Sequence, residues 1–327
     1  MKQNKLINAV LLAAVLFLFS TPVFSQGTRG LALWDAISPE SKIPLHIWIE
    51  EGVDWVAINF SSFFDSITYL INSIRDLFFS FFSFFPVLTP NLFGASLYIP
   101  VLALVLALVA YLVSNWKVSI FTFFSLVLIF MLGLWQETIQ TFSLTLTAAF
   151  ITLVLAIPLG ILAGKSDFVE AGVRPILDFM QTMPVFVYLI PAVMFFGIGV
   201  APGVMATIIF ALPPAVRLTA LGLRGLPVEI VEAGKSFGCN AFELLWKVEL
   251  PMARPSIMAG VNQSIMMCLS MVVIAALIGA GGLGGEVVRG IQRMMVGRGM
   301  VAGIAVVIVA VILDRMTRYV GQVKRAS

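Results

Sequence analysis

Few side chains in this sequence could do covalent or metal chemistry. The one histidine, His46, is too little for a histidine metal site or a His-dependent triad. Cys239 and Cys268 lie 29 positions apart with no CxxC or Cys/His spacing, so they read as free thiols rather than zinc ligands or a disulfide. No HExxH, paired intramembrane acids or Ser/His set occurs, which opposes a membrane-embedded enzyme. The glycine-rich run Gly279-Ala280-Gly281-Gly282-Leu283-Gly284-Gly285 lacks the Lys and Ser/Thr with which a P-loop grips phosphate and magnesium. Its expected role is a turn that lets backbones approach closely at a helix end. The chain is therefore expected to perform no catalysis and to hold no cofactor or metal of its own.

The elements around these residues are set by composition. Of 327 residues 60% are hydrophobic and only 11% charged, and the mean hydropathy is +1.03, far from soluble usage. The chain reads as an all-α polytopic transmembrane bundle. Seven apolar stretches follow an N-terminal signal-like helix, at 96–113, 117–134, 139–163, 184–199, 203–220, 256–280 and 300–318. With residue 26 outside, alternation puts fourteen Lys/Arg inside and six outside, the asymmetry expected of this number of spans. The loop 217–255 and the basic tail 319–327 are then cytoplasmic. The span centres carry almost no ionisable group, whereas ion-coupled carriers need such groups to bind the driving ion. Uphill transport would need energy from another chain.

Residues 1–25 have Lys2 and Lys5 before an apolar core and small residues near Ser25, the pattern of a signal peptide or of an uncleaved signal anchor. Residues 26–95 are expected outside, with seven acids against three bases up to Leu92. Apolar residues from Trp48 to Ile74 recur at near-helical spacing, predicting one or two amphipathic helices on the outer leaflet. The Phe-rich run 78–85 is expected to dip into the interface. The transmembrane domain then covers 96–318.

The cytoplasmic loop is the most informative segment. Pro227 suits a helix start, Glu229 and Glu232 favour its early turns, and Gly238 is the expected left-handed stop. Asn240 with Glu243 predicts a capping box on a second short helix, which Pro251 is expected to end. The pair forms a knob exposing Phe242, Leu245 and Trp246 among charges, a shape suited to a partner's groove. Glu232-Ala233-Gly234, three residues, Gly238, nine residues, Val248, one residue, Leu250-Pro251 resembles the EAA loop of ABC importer permeases. That pattern is EAA-x3-G-x9-I-x-LP, and two conservative departures occur, Gly234 and Val248. The segments Leu177-Asp178 to Pro191, Phe210-Ala-Leu-Pro213-Pro214, Met258 to Gln263 and Gly281-Gly-Leu-Gly284 are similar to the glycine betaine/proline betaine and choline branch. The resemblance spans about residues 43–317, including Ile43-Pro44-Leu45 and Glu51-Gly52-Val53-Asp54-Trp55 outside.

The resemblance implies a type I importer fold, cytoplasmic ABC ATPase subunits that carry the ATP and magnesium, an external substrate-binding protein, and a second permease copy. One loop per chain favours a homodimer over a paralogous pair. Glu232, Ala233, Gly234, Gly238, Phe242, Leu245, Val248, Leu250 and Pro251 are the expected ATPase-coupling residues. For a small quaternary ammonium solute, Phe186 and Tyr188 offer aromatic faces, while Asn262, Gln263, Ser264 and Ser270 offer polar contacts along the pathway. The same six side chains serve equally well to pack helices. The competing function is an ATP-independent channel or secondary carrier for small zwitterions, which the bare spans and the loop pattern oppose.

Overall fold

The structure is a computed structural model and describes residues 45–85, 87–88, 91–92, 95–96 and 99–321. The signal-like segment, the start of the external segment and most of the basic tail lie outside the described residues. Contacts divide the chain into two units, Met1–Val56 and Ala57–Ser327. The first contributes most of α1 (Leu45–Asn59), and the second holds everything from α2 (Ser61–Ser83) onward.

Helix α3 (Val101–Val113) and α4 (Trp116–Met131) form an apolar hairpin, in which Asn115 caps α4 by accepting from the Val118 N–H at 3.0 Å. Four two-residue strands precede it: β1 (Val87–Leu88) pairs antiparallel with β4 (Ile99–Pro100), and β2 (Asn91–Leu92) with β3 (Ala95–Ser96). Next come α5 (Trp135–Lys165), α6 (Asp167–Thr182), α7 (Val185–Phe196) and α8 (Val200–Arg224). The loop contains α9 (Val228–Ser236) and α10 (Ala241–Glu243), which continues through a π turn at Leu244–Glu249 into α11 (Leu250–Ser270) and α12 (Val272–Leu277). Helices α13 (Gly282–Gln292) and α14 (Val296–Gly321) close the fold.

Each of the seven predicted apolar stretches holds a helix. Four helices are long and apolar enough to cross a membrane: α5, α8, the continuous run Ala241–Leu277, and α14. A fifth span is possible through α6 and α7, which meet at a 100° bend. The 12-residue α7 is too short to cross alone.

The core is the trio α5, α8 and α11. Its helices approach through small residues: a Cβ on Gly160 would come within 2.6 Å of the Thr219 Cβ, and one on Gly260 within 3.1 Å of the Ala215 Cα. Helix α5 also buries hydroxyls in this apolar setting. Thr138, Ser143 and Thr147 do so by donating to the carbonyl four residues back, at 2.7, 2.8 and 2.7 Å, which leaves each hydroxyl satisfied without water.

Helix α2 also packs on the bundle. Helix α2 is a single 23-residue helix whose Ile71 and Phe82 are buried in the core cluster that includes residues of α5. Phe82 packs on Phe142 and Phe78 on Phe150, with ring centroids 5.7 and 6.5 Å apart. Part of the Phe-rich run thus packs on α5 as an aromatic seam, while Phe81 and Phe84 stay exposed.

Candidate coupling loop and solute pathway

The loop is organised by local rules that its residues dictate. Pro227 sits at the N-cap of α9, one position earlier than predicted. Gly238 stops the helix with φ +81°, and the Cys239 N–H donates back to the Gly234 carbonyl at 3.2 Å. The capping box is complete: Asn240 Oδ1 accepts from the Glu243 N–H at 2.8 Å, and Glu243 Oε2 accepts from the Asn240 N–H at 3.2 Å. Lys247 Nζ lies 2.9 Å from the Glu243 carboxylate. That bond holds the Glu243 carboxyl below its ordinary value and the Lys247 ammonium above its own. Both stay charged through neutral pH, and the Glu243 contribution is lost only as pH falls through its lowered value.

Pro251 does not end the second helix, which corrects the sequence reading. The backbone widens into the π turn, where the Leu250 N–H donates five residues back to the Leu245 carbonyl. A wider turn gives room for a ring that would otherwise meet the carbonyl four residues earlier. Pro251 therefore lies in the first turn of α11, inside one continuous rod from the knob into the membrane.

The knob's surface divides cleanly. Leu244 and Gly234 are buried against each other, and a Cβ on Gly234 would stand 2.6 Å from Leu244 Cδ1. The alanine that the EAA pattern has here would require the tip of the Leu244 side chain to shift. Phe242 and Trp246 are exposed, with rings 6.0 Å apart, whereas Leu245 is half-buried and not exposed as expected. Val248 and Leu250 are half-buried, and Ala233 is exposed. The carboxylate of Glu232 is exposed and forms no ion pair among the described residues. An unpaired acid on α9 and two exposed aromatic rings on the next helix are chemistry available to a partner.

Side chains that sequence reasoning did not single out tie this loop to the spans. Glu249, buried in the π turn, is ion-paired with Lys165 at the end of α5. On α8, Arg217 reaches Asp178 at 2.5 Å and Gln181 at 2.9 Å, while Arg224 reaches Asp167 at 2.6 Å, Glu170 at 3.1 Å and the Ala163 carbonyl at 2.7 Å. Ala163, Glu170, Asp178, Arg217 and Arg224 border a cavity of about 300 Å³ between α6 and α8. Its two paired arginines are neutralised by acids, so it fastens α6 to α8. The legible signal was only that charges gather at span ends.

The six pathway candidates differ in burial and in what they touch. Asn262 donates to Asp314 at 3.4 Å and accepts from the Thr317 hydroxyl at 2.6 Å, which binds α11 to α14. Ser264 donates to the Ala211 carbonyl on α8 at 2.6 Å. Both serve helix packing in this structure. Ser270 is exposed and donates to Met266 O at 3.0 Å, while Gln263 and Phe186 are exposed. Tyr188 is buried at 4% exposure, and its hydroxyl bonds to no described residue, at a cost of about 1–3 kcal/mol.

The glycine-rich run is a close-packed helix start. Gln140 accepts from the Gly282 N–H at 3.0 Å and Thr141 from the Leu283 N–H at 2.8 Å, so α5 side chains occupy amides that a phosphate would need. Beyond it, buried Glu286 pairs with Arg289 and, at 2.8 Å, with Arg298, holding α13 against the start of α14. Among the described residues no cluster of His, Cys, Asp and Glu is suited to a metal.

Residues 156–325, which include α9 to α14, match the family model of the binding-protein-dependent transport system inner membrane component. The chain is 50% identical over 280 residues to the glycine betaine/carnitine transport permease protein GbuB of Listeria monocytogenes, covering 84% of this chain and 95% of that one. It is 44% identical to the glycine betaine/proline betaine transport system permease protein ProW of Escherichia coli, over 87% of this chain and 77% of that one. The glycine betaine transport system permease protein OpuAB of Bacillus subtilis is 43% identical, over 88% and 97%. Among solved structures, an inward-facing form of the MetNI methionine ABC transporter matches with a TM-score of 0.50 at 21% identity, over 59% of this chain and 94% of that one, a likeness of fold. The apolar bundle, the EAA-type loop and these matches make the chain a permease subunit belonging to the family of binding-protein-dependent transport system inner membrane components.

Proposed function

We propose that this permease imports a small quaternary ammonium solute, glycine betaine first and proline betaine or choline next. It does so by alternating access driven by separate cytoplasmic ATPase subunits. The observation that carries the coupling is the knob itself: exposed Glu232 on α9, and exposed Phe242 and Trp246 at the head of the run Ala241–Leu277 that continues into the membrane. Closure of an ATPase dimer on two such knobs draws them together, and the rods pass the motion to the spans. The Lys165–Glu249 pair carries the same motion to α5. In this reading two copies of the chain form a homodimer in a bacterial inner membrane, with loop and C-terminus in the cytoplasm and an external binding protein delivering solute. ATP and magnesium belong to the ATPase. The solute assignment is supported by relatives at 43–50% identity whose names carry glycine betaine, and by a bundle with aromatic side chains and few charges at span centres.

The experiment is a competition panel on the importer assembled in proteoliposomes. Labelled glycine betaine uptake is expected to fall at least tenfold with excess unlabelled betaine and to be unaffected by methionine or oligopeptides. Uptake of an amino acid that no quaternary amine competes with would overturn the solute assignment and leave the permease assignment standing.

A further inference from the structure

Tyr188 has a buried hydroxyl that bonds to no described residue. It packs with Leu189, Ala206 and Met271 in a small cluster apart from the main core. Phenylalanine would fill the same space without leaving a hydroxyl unbonded, so packing alone does not explain tyrosine. Met271 joins α11 to α12 within the continuous run Ala241–Leu277, and its N–H is shared among the carbonyls of Met267, Cys268 and Leu269.

The cluster has a definite depth. The Gly199 N–H donates to the Ile278 carbonyl at 2.9 Å, tying the start of α8 to the end of α12. Ala206 and Met271 each lie seven residues from that tie, about 10 Å along their helices. Under the orientation proposed above, the tie is at the external face and the cluster is the next layer inward.

We propose that the cluster of Tyr188, Leu189, Ala206 and Met271 is a gate across the solute pathway, closed in this structure, and that the Tyr188 hydroxyl donates a hydrogen bond to an oxygen of the passing solute when the gate opens. The proposal rests on reading the solute as a quaternary ammonium compound that bears an oxygen, the carboxylate of a betaine or the hydroxyl of choline. A phenol suits both ends of such a molecule. Its face attracts the cation, and its O–H meets the acceptor. The apolar neighbours Leu189, Ala206 and Met271 have no side-chain oxygen or nitrogen to offer the hydroxyl, which leaves the donor for the solute.

The test compares wild type and Tyr188→Phe in the fully assembled importer, with glycine betaine and choline as separate solutes. The maximal uptake rate of glycine betaine is expected to fall at least fivefold in the variant. Its half-saturating concentration should stay within twofold, because capture takes place on the external binding protein. The loss for choline should be smaller, since its hydroxyl accepts less strongly than a carboxylate. The melting temperature of the variant permease should be equal to or above wild type, as removal of an unbonded hydroxyl requires. Wild-type uptake rates in Tyr188→Phe overturn the proposal. A wild-type importer that moves neither solute overturns the solute assignment instead. The gate is then read without solute, by maleimide labelling of Met271→Cys in a chain carrying Cys239→Ser and Cys268→Ala. Labelling should be at least tenfold faster in one of two conditions, nucleotide-free or with the ATPase held in its ATP-bound state, and equal rates in both overturn the gate.

Discussion

Replacing Glu232 with lysine, or Gly238 with aspartate, lowers solute uptake by the assembled importer at least tenfold while leaving the spans folded. The two changes act on one surface by different routes. Glu232 is exposed and unpaired among the described residues, so charge inversion disturbs no internal contact and acts on whatever the knob meets. Gly238 has φ +81° with nothing within 4 Å of the Cβ it lacks, so the penalty of a side chain is confined to the backbone, about 1 kcal/mol. That penalty is enough to reorient α9 against α10 without reaching the core trio. Uptake, ATPase co-purification and permease melting are measured together. Normal uptake with normal co-purification in both variants would remove the coupling role of the loop. A matching drop in melting would reassign it to folding.

The second large effect separates two adjacent glycines. A Cβ on Gly284 would stand 2.5 Å from the Val272 carbonyl oxygen and 3.0 Å from its carbon, whereas a Cβ on Gly285 meets nothing within 4 Å. Backbone on α12 cannot swing aside as a side-chain tip can. Gly284→Leu is therefore expected to destabilise the permease by about 3 kcal/mol or more, through overpacking. Gly285→Ala should be neutral or slightly stabilising, because alanine is the better helix former by about 1 kcal/mol. Thermal unfolding of the detergent-purified chain reads both. Equal melting of the two variants would contradict the packing described for α13 against α12.

These contrasts mark what was legible in the sequence. The Gly238 stop and the Asn240–Glu243 capping box were readable because each depends on residues within four positions. The apolar stretches were readable because a span must be apolar along its whole length. Pro251 misled because a local rule was applied where the chain had another solution, the π turn that lets α10 run into α11. Leu245 is half-buried rather than exposed, and Leu244 beside it takes the buried contact with Gly234, a placement across two helices that no local rule predicts. The Lys165–Glu249 pair links residues 84 positions apart and has no local signature. Asn262 and Ser264 looked like pathway groups from composition. Only their partners, Asp314, Thr317 and the Ala211 carbonyl, show them tying helices together.

The central claim, a permease that moves solute only when a separate ATPase drives it, is tested most directly by reconstituting the chain in liposomes three ways: alone, with the binding protein, and with the binding protein and ATPase. Only the complete set, with ATP on the ATPase side, is predicted to accumulate glycine betaine above its external concentration. Uptake by the chain alone at a comparable rate and without ATP would contradict the account and make the protein a self-standing channel or carrier.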